Sequence, residues 1–566
     1  MKIKKEIWLI LSLVAVLVLA ACGDNASSGN NDPDNNNNTE NNENNNNNND
    51  NNNNNNNSGN NDSGDGVNAT GMPIVDDEID LTFFANKPAQ NEDNDWNDIL
   101  IWNEYRDETN INVDWDLISP DALEEKRNLA LGSGNNLPDA FFLAQIPNTD
   151  LLKYGSQEMF LPLNDLIDEH APNLTELMET DPSIRKAITY PDGNIYSMPA
   201  LIEEDFLSLR LSARPWINED WLDELDMDIP ETTDEFYEYL TAVKELDPVG
   251  DGKTVPFGGT DIQELVQWLS GSFGVMNRGP SNTNFDLDPD DDSKVRFFAT
   301  TDEYRQLLEY IHKLYDEGLI EQNIYSIEWG QFLANAQDNL YASMIFYDPI
   351  ELFGDEIGSQ YNSVAALEGP EGHQDYNKLS SSVWDPANLV LTSENENPEA
   401  TVRWMDHFYS DDGAKLYYMG VEGETFEMED GEAVYMDHIL DPEGDMTFEQ
   451  AVVQQLTWVG SINGIIKADY FQGGESAPQS MDAAEKIEPF VPEEIWPRFT
   501  FTAEENKILQ STGRDIEKFV EEMRDQFISG DADLADWDDY VNEIEKTGLD
   551  EVVEVYQDAY DRYLDN

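Results

Sequence analysis

The chain has 566 residues, of which 118 are Asp or Glu and 31 are Lys or Arg, so its formal net charge at pH 7 is −87. Binding to nucleic acid requires basic surface, so this charge excludes nucleic acid as a likely partner, and it argues against direct docking on anionic lipid. A single cysteine excludes an intramolecular disulfide. Near molar salt the surface charges would be screened, so we predict a protein adapted to a saline medium.

The first 22 residues read as an export signal. Three lysines lie within the first five residues, residues 7–21 are apolar apart from Ser12, and Leu19-Ala20-Ala21-Cys22 ends the segment. The apolar run is shorter than the about 20 residues that a transmembrane helix needs. Residues 19–22 resemble the bacterial lipobox, which implies cleavage of a signal peptide at residues 1–21 and acylation (palmitate) of Cys22. An ordinary secretory signal or an uncleaved anchor is the alternative.

Residues 22–77 form a polar segment rich in asparagine, including an unbroken run of Asn at residues 51–57. Such a composition has too little apolar surface to offset the loss of chain entropy on folding, so we predict a disordered tether. Asn-rich tracts also aggregate, which makes a prion-like role the alternative interpretation.

The remainder of the chain alternates short apolar strands with amphipathic helices, as α/β proteins do. We predict a strand at residues 79–84, a helix at residues 96–110 and a second strand at residues 111–115. The length of this part favours two lobes.

Two sequence patterns mark helix starts further along the chain. Thr232 with Glu235 and Thr502 with Glu505 have the spacing of a capping box. The last hundred or so residues have helical periodicity throughout.

Five stretches, in this order, resemble the family 1 bacterial extracellular solute-binding proteins, which are lipoprotein receptors of ABC sugar importers. The stretches are Ser133-Gly134-Asn135-Asn136-Leu137-Pro138-Asp139, Asp192-Gly193-Asn194-Ile195-Tyr196-Ser197-Met198-Pro199, Asn218-Glu219-Asp220-Trp221-Leu222-Asp223-Glu224-Leu225, Asn397-Pro398-Glu399-Ala400-Thr401, and residues 548–560. The combination is specific, whereas each stretch alone is weak.

The resemblance implies an α/β, two-lobed periplasmic-binding-protein-like fold (type II, maltose-binding-protein-like) with extra C-terminal helices. Lobe 1 would comprise residues 78–202 and 363–410, and lobe 2 residues 203–362 and 411–566. The chain would cross first near residues 200–205 and return near residues 364–369. Closure of the lobes around a ligand would be a hinge motion.

Sugar sites in such clefts combine aromatic faces with amides and carboxylates. Loops that follow strand ends near the crossings supply the candidates. The expected ligand-binding residues are Asn86, Gln145, Glu203, Glu204, Trp216, Tyr347 and Trp384. Core packing or an ordinary surface position is the alternative for each aromatic residue, and acidic residues are too common here to be distinctive. An acidic sugar would need compensating bases such as Lys87 and Arg214.

Two acidic loops invite comparison with calcium sites. In Asp247-Pro248-Val249-Gly250-Asp251 a valine stands where an oxygen ligand belongs, so a complete shell cannot form locally, although binding at Asp247 and Asp251 stays open. Residues 286–292 lack the glycine and the final glutamate of an EF-hand, so we predict the tip of a hairpin. We expect no metal site and no cofactor.

Catalytic constellations are mostly absent from the sequence. The five histidines have no zinc-like spacing, and neither a nucleophile elbow nor a nucleotide-binding glycine loop is present. We therefore expect a monomeric, non-enzymatic receptor on the outer face of the cell membrane, which captures an oligosaccharide or sugar and delivers it to ABC permease subunits. A cell-surface glycoside hydrolase, which needs only two carboxylates, and a peptide receptor of the same fold are the alternatives.

Overall fold

The computed structural model describes residues 66–88, 95–429, 431–442 and 446–565. The predicted signal peptide, Cys22 and most of the predicted tether lie outside these ranges. The described end of the predicted tether is ordered rather than disordered, because Ile74 and Val75 are buried in the core of the first sheet. In the part of the chain that is described, no helix combines the length and the apolar character needed to cross a membrane.

The first part of the chain alternates strands and helices, and all its strands enter one six-stranded sheet. Its elements are β1 (Ile79–Asn86), α1 (Leu100–Thr109), β2 (Ile111–Ile118), α2 (Pro120–Ser133), β3 (Ala140–Phe142), α3 (Asn148–Gly155), α4 (Asn164–His170), α5 (Pro172–Thr180), α6 (Pro182–Ile188) and β4 (Met198–Ile202). The two predicted strands are confirmed. The predicted helix is a 3-10 turn at Trp96–Asp98 followed by α1, which ends where Asn110 adopts a left-handed conformation.

The second part of the chain builds a separate, four-stranded sheet with helices around it. Its elements are α7 (Leu207–Leu211), β5 (Arg214–Asn218), α8 (Glu219–Leu225), α9 (Thr233–Leu246), β6 (Val255–Gly258), α10 (Ile262–Leu269), β7 (Phe285–Asp288), β8 (Asp291–Phe297), α11 (Asp302–Asp316), α12 (Trp329–Gln337), β9 (Tyr341–Phe346), α13 (Pro349–Phe353), α14 (Asp355–Gly358) and β10 (Tyr361–Ser363). The Thr232–Glu235 capping box opens α9. The predicted acidic hairpin is β7–β8.

The third part of the chain returns to the first sheet. Its elements are β11 (Val383–Leu391), α15 (Pro398–Asp406), α16 (Asp411–Met419), β12 (Phe426–Glu429), β13 (Glu432–Tyr435), α17 (Asp437–Leu440), α18 (Phe448–Val453) and β14 (Ile465–Ile466). The first sheet has the strand order β14-β4-β11-β3-β1-β2, in which β11 is antiparallel to its neighbours, and the second has the order β10-β5-β9-β6.

The C-terminal part is helical, as expected. It comprises α19 (Pro478–Ile487), α20 (Ala503–Ile508), α21 (Arg514–Ser529), α22 (Trp537–Thr547) and α23 (Leu549–Asp565). The Thr502–Glu505 capping box opens α20, and a π-helical turn at Leu509–Gly513 separates α20 from α21. Buried residues of these helices, such as Ile516, Trp537 and Tyr560, share a core with the second sheet.

Each sheet is covered on both faces, which gives two lobes. In the first sheet Phe83 and Phe84 point into different cores because successive side chains of a strand alternate. In the second sheet Ile217 and Trp216 do the same. The two-lobed α/β fold expected from the resemblance is therefore observed, with the extra C-terminal helices on lobe 2.

The packing of two segments differs from the expected lobe boundaries. Residues 414–471 were expected with lobe 2, but their buried side chains, from Ala414 to Phe471, join the core of the first sheet. Residues 364–379 were expected with lobe 1, but Val364, Leu367 and Tyr376 are in the core of the second sheet. The chain re-enters the first sheet only at Val383, so the expected return near residues 364–369 is wrong.

Three segments connect the lobes side by side: residues 203–206, 380–382 and 467–477. The Ile202 N–H donates to Ser382 O (2.8 Å), and the Glu203 N–H donates to Ile466 O (2.9 Å). The Glu203 carboxylate also accepts from the Ala468 N–H (3.2 Å). These bonds join the first crossing to both others and make a hinge of three adjacent segments.

Candidate functional site

The edge of the first sheet next to the hinge carries four of the predicted ligand-binding residues. β1 and β3 are parallel, and β4 has the same direction because β11 is antiparallel to both β3 and β4. The carboxyl ends of three strands and the start of β11 therefore meet at one edge. Asn86 ends β1, Gln145 follows β3, Glu203 follows β4 and Trp384 is the second residue of β11. Ligands of open α/β sheets bind outside this kind of edge.

Trp384 projects from an irregular part of β11. The register between β11 and β4 shifts between Val383 and Asp385, and such a bulge redirects a side chain. Asp385 fixes the irregularity by accepting a hydrogen bond from the Ala387 N–H (2.9 Å), and burial raises the pKa of its carboxyl above the ordinary value. The indole of Trp384 is 45% exposed, which suits a stacking surface.

Gln145 lies in a loop whose backbone is hydrogen-bonded to a buried arginine. Arg127 donates from Nη1 to the carbonyls of Ala144 (3.0 Å) and Gln145. Gln145 itself has a left-handed φ of 51° and an exposed side chain. The loop therefore keeps its shape while the amide of Gln145 remains available to a ligand.

The other polar residues at this edge differ in how accessible their side chains are to a ligand. One oxygen of the half-buried Glu203 is occupied by the Ala468 N–H, so this residue serves the hinge. Glu204 is exposed. Asn86 is only 9% exposed, and its Oδ1 is buried without a hydrogen-bond partner among the described residues.

The edge of the second sheet next to the hinge carries an aromatic surface. Arg214, the first residue of β5, pairs with Phe346, the last residue of β9, and Tyr347 follows immediately. Tyr347 is 41% exposed. The ring of Phe346 contacts Tyr347 (centroids 5.4 Å apart) and also stacks on Trp329 (6.0 Å, planes at 25°).

Trp329 is a candidate that the sequence prediction missed. It is the first residue of α12 and is 51% exposed. Its sequence neighbours are Glu328 and Gly330, and the absence of apolar side chains on either side of the indole is the only hint of its exposure. No spacing relates Trp329 to Tyr347, because their proximity arises from the return of the chain through β9.

Trp216 is buried and offers no face to a ligand, contrary to the expectation that it would stack on a sugar. The residue is 1% exposed and packs in the core between the second sheet and α12. Its Nε1 donates to Phe346 O (2.9 Å). The alternation of β5 turns this ring into the lobe, and its indole N–H anchors the end of the strand that carries Tyr347.

Arg214 is likewise buried rather than directed to the cleft. It is 0% exposed and donates to the carbonyls of Ser208, Ser212 and Ser480 and to the Ser208 hydroxyl. Burial lowers the pKa of its guanidinium below the ordinary value. The Ser480 hydroxyl in turn donates to Tyr347 O (3.3 Å) and to an oxygen of Asp348 (3.2 Å). This network joins α7, β5 and α19 beneath Tyr347.

In the acidic loop after α9, the carboxylate of Asp247 is hydrogen-bonded to other residues of the same loop. Asp247 accepts hydrogen bonds from the Gly252 N–H (2.7 Å) and the Thr254 hydroxyl (2.8 Å), one on each oxygen. These bonds, led by that of Gly252, lower the pKa of Asp247 below the ordinary value. Across the described ranges, no three His, Cys, Asp or Glu side chains are placed to share a metal ion.

The comparisons with known proteins agree with this architecture. The chain is 29% identical over 490 residues to the fructooligosaccharide ABC transporter substrate-binding protein FusA of Streptococcus pneumoniae, covering 83% of this chain and 88% of FusA. The solved structure of FusA in complex with kestose is 26% identical, with a TM-score of 0.68, and covers 86% of this chain and 100% of that one.

A more distant structure shares the fold. It is an extracellular solute-binding protein from Bifidobacterium longum subsp. infantis, 19% identical, with a TM-score of 0.69, covering 86% of this chain and 98% of that one. The sequence pattern of the bacterial extracellular solute-binding proteins matches residues 85–415, more than half of the chain. The chain therefore belongs to the family of bacterial extracellular solute-binding proteins.

Proposed function

We propose that this protein captures a neutral oligosaccharide between its two lobes and delivers it to the permease of an ABC importer. The observation that carries the proposal is the presence of exposed aromatic side chains on both facing edges, Trp384 on lobe 1 and Tyr347 with Trp329 on lobe 2. Aromatic faces on two lobes can hold the apolar faces of pyranose or furanose units when the hinge closes. The likeness to FusA supports fructooligosaccharides as the first ligands to test.

The charges at the cleft favour a neutral ligand over a uronate. Arg214, one of the two bases that could have compensated an acidic sugar, is buried and its guanidinium is occupied by backbone carbonyls. Glu203 and Glu204 lie at the lobe 1 edge. A carboxylate-bearing sugar would meet repulsion here that a neutral sugar avoids.

We also propose how the receptor stays near its permease. The lipobox-like residues 19–22 support acylation of Cys22, and the Asn-rich segment that follows supports a tether that gives the folded part freedom of movement at the outer face of the membrane. The receptor acts as a monomer without catalysis. Its release from the cell should require only the loss of the acyl group.

Binding is tested by calorimetry on the chain with the substitution Cys22→Ala, using a fructooligosaccharide series and neutral oligosaccharides of other linkages. We expect stoichiometric binding, at least tenfold weaker binding for Trp384→Ala and for Tyr347→Ala, which corresponds to about 1.4 kcal/mol, and no release of reducing ends. Tyr325→Ala is the matched control, because Tyr325 is 40% exposed but lies outside the two edges.

Two outcomes would contradict the proposal. Turnover of the oligosaccharide would favour the glycoside hydrolase instead. Saturable binding of peptides but of no sugar, lost in Trp384→Ala, would favour the peptide receptor of the same fold.

A further inference from the structure

A polar groove lies between lobe 2 and the C-terminal helices, apart from the aromatic surfaces of the cleft. Its volume is about 280 Å³. One wall is the start of α10 with the loop at residues 276–284, and the other is the middle of α21. The groove therefore exists only because the C-terminal helices pack on lobe 2.

The groove carries more negative than positive charge. Asp261 lies at the start of α10, and Glu517 and Glu521 lie on α21. Within the described ranges none of these three carboxylates forms an ion pair. The one base of the groove, Arg524, is already paired with Asp525 (2.8 Å), so the groove attracts cations.

The carboxylates are spread along the groove rather than gathered at one point. Glu517 and Glu521 are four residues apart, so they share a face of α21 about 6 Å apart along its axis, and Asp261 stands on the opposite wall. They do not belong to any cluster that could hold one metal ion, since the described residues contain none. An extended cation with several charges fits this spacing better than a single ion.

Apolar side chains contribute to the same walls as the charged ones. The groove is also lined by Val266, Met276, Phe298 and Val520. These side chains offer contact to methylene groups, which bind to apolar surface and lose water there. A groove that combines carboxylates with apolar wall matches ammonium groups joined by methylene chains.

The hydroxyl of a largely buried tyrosine also faces the groove. Tyr304 lines it and is 3% exposed, yet its hydroxyl has no hydrogen-bond partner among the described residues. Burial raises the pKa of Tyr304 to about 12, and the neighbouring Arg524 opposes that rise. The hydroxyl is therefore protonated at neutral pH, and its oxygen can accept a hydrogen bond from an ammonium group.

A smaller cavity of about 90 Å³ adjoins the groove and extends it. The two share Thr283, Asn284 and Glu517. The smaller cavity is lined by Tyr556 and by both ends of the π-helical turn at Leu509–Gly513. Such π-helical turns occur frequently at functional sites.

We propose that this groove binds a linear aliphatic polyamine, with its ammonium groups at the carboxylates of Asp261, Glu517 and Glu521 and its methylene groups against the apolar wall. The ligand bridges α10 and α21 and so holds the C-terminal helices on lobe 2. The proposal is independent of the ligand in the cleft.

The test uses spermidine as the probe and the folded chain with Cys22→Ala in about 0.1 M salt. Calorimetry should show saturable binding of one spermidine, and the melting temperature should rise because the ligand binds only the folded state. Magnesium chloride at equal charge should give no saturable binding. Glu517→Gln with Glu521→Gln should weaken spermidine binding at least tenfold, and Tyr304→Phe several-fold.

The control removes the same charge from α21 outside the groove. Asp515→Asn with Glu522→Gln should leave the affinity within twofold, and so should Trp384→Ala in the cleft. Equal losses in the two double variants would show diffuse attraction to an acidic surface and overturn the proposal. The absence of saturation with spermidine would overturn it as well.

Discussion

Replacement of Arg214 by methionine should destabilise lobe 2 and disturb the cleft. The guanidinium is fully buried and makes five hydrogen bonds, to the carbonyls of Ser208, Ser212 and Ser480 and to the Ser208 hydroxyl. Methionine fills similar volume but donates nothing. The three carbonyls are thereby left without this donor in a buried place.

The magnitude follows from the groups that lose their partner. A buried carbonyl without a hydrogen bond costs about 1–3 kcal/mol, so three of them cost at least about 3 kcal/mol. Removal of a buried charge returns part of that cost, because the desolvation that lowers the pKa of Arg214 disappears. We expect a net loss of about 2–4 kcal/mol, which corresponds to a urea midpoint lower by about 1 M for a slope of about 3 kcal/mol per M.

Urea unfolding followed by circular dichroism measures this shift. Arg185→Met is the control, because Arg185 forms a partly exposed ion pair with Asp168 (2.7 Å) of a kind worth about 0–1 kcal/mol. Arg214→Lys should fall between the wild type and Arg214→Met, since an ammonium group cannot reach all the carbonyls at once. Ligand affinity should fall as well, because Ser480 also holds Tyr347. An unchanged midpoint in Arg214→Met would refute the reasoning.

Five further outcomes are expected. Burial lowers the pKa of His407 to about 4, so the unfolded chain binds the proton more readily and stability should fall as pH drops from about 6.5 to 4; His407→Phe should flatten that part of a urea-midpoint profile. The pKa of Asp247 is lowered, so its contribution is present above about pH 4 and lost in acid; Asp247→Ala should lower the melting temperature at pH 7 but not near pH 2. Metal removal with EDTA should leave the melting temperature unchanged, because Asp247 is satisfied by Gly252 and Thr254. The melting temperature should rise from low to molar NaCl, and the absence of a rise would count against a saline habitat. Cys22→Ala should move ligand-competent protein from the membrane fraction to the medium in a fractionation assay.

Much of the fold could be predicted because its signals are local. The strands at Ile79–Asn86 and Ile111–Ile118 show their apolar runs directly, and both capping boxes depend on residues only three positions apart. The lobe boundaries were harder to predict. The sequence pattern of residues 414–471 is compatible with packing on either sheet. Only the core that they join distinguishes the two possibilities.

The candidate site was predicted in part for the same reason. Gln145, Tyr347 and Trp384 follow or begin strands, and strand ends meet at a sheet edge. Trp216 also lies in a strand, but its direction depends on the pairing of β5 with β9, and that pairing turns the ring inward. Trp329 begins a helix, so no strand-end argument could find it.

The sequence by itself determined the class of structure, an α/β protein, together with a high negative charge, a single cysteine and the lack of a recognised catalytic motif. The export signal before that cysteine stays a prediction. These properties depend on composition and on neighbours along the chain. The tertiary structure decided which lobe each later segment joins, that Arg214 and Trp216 support the cleft from within, and that a groove forms between α10 and α21. Those outcomes depend on contacts between residues far apart in the chain, which no local pattern records.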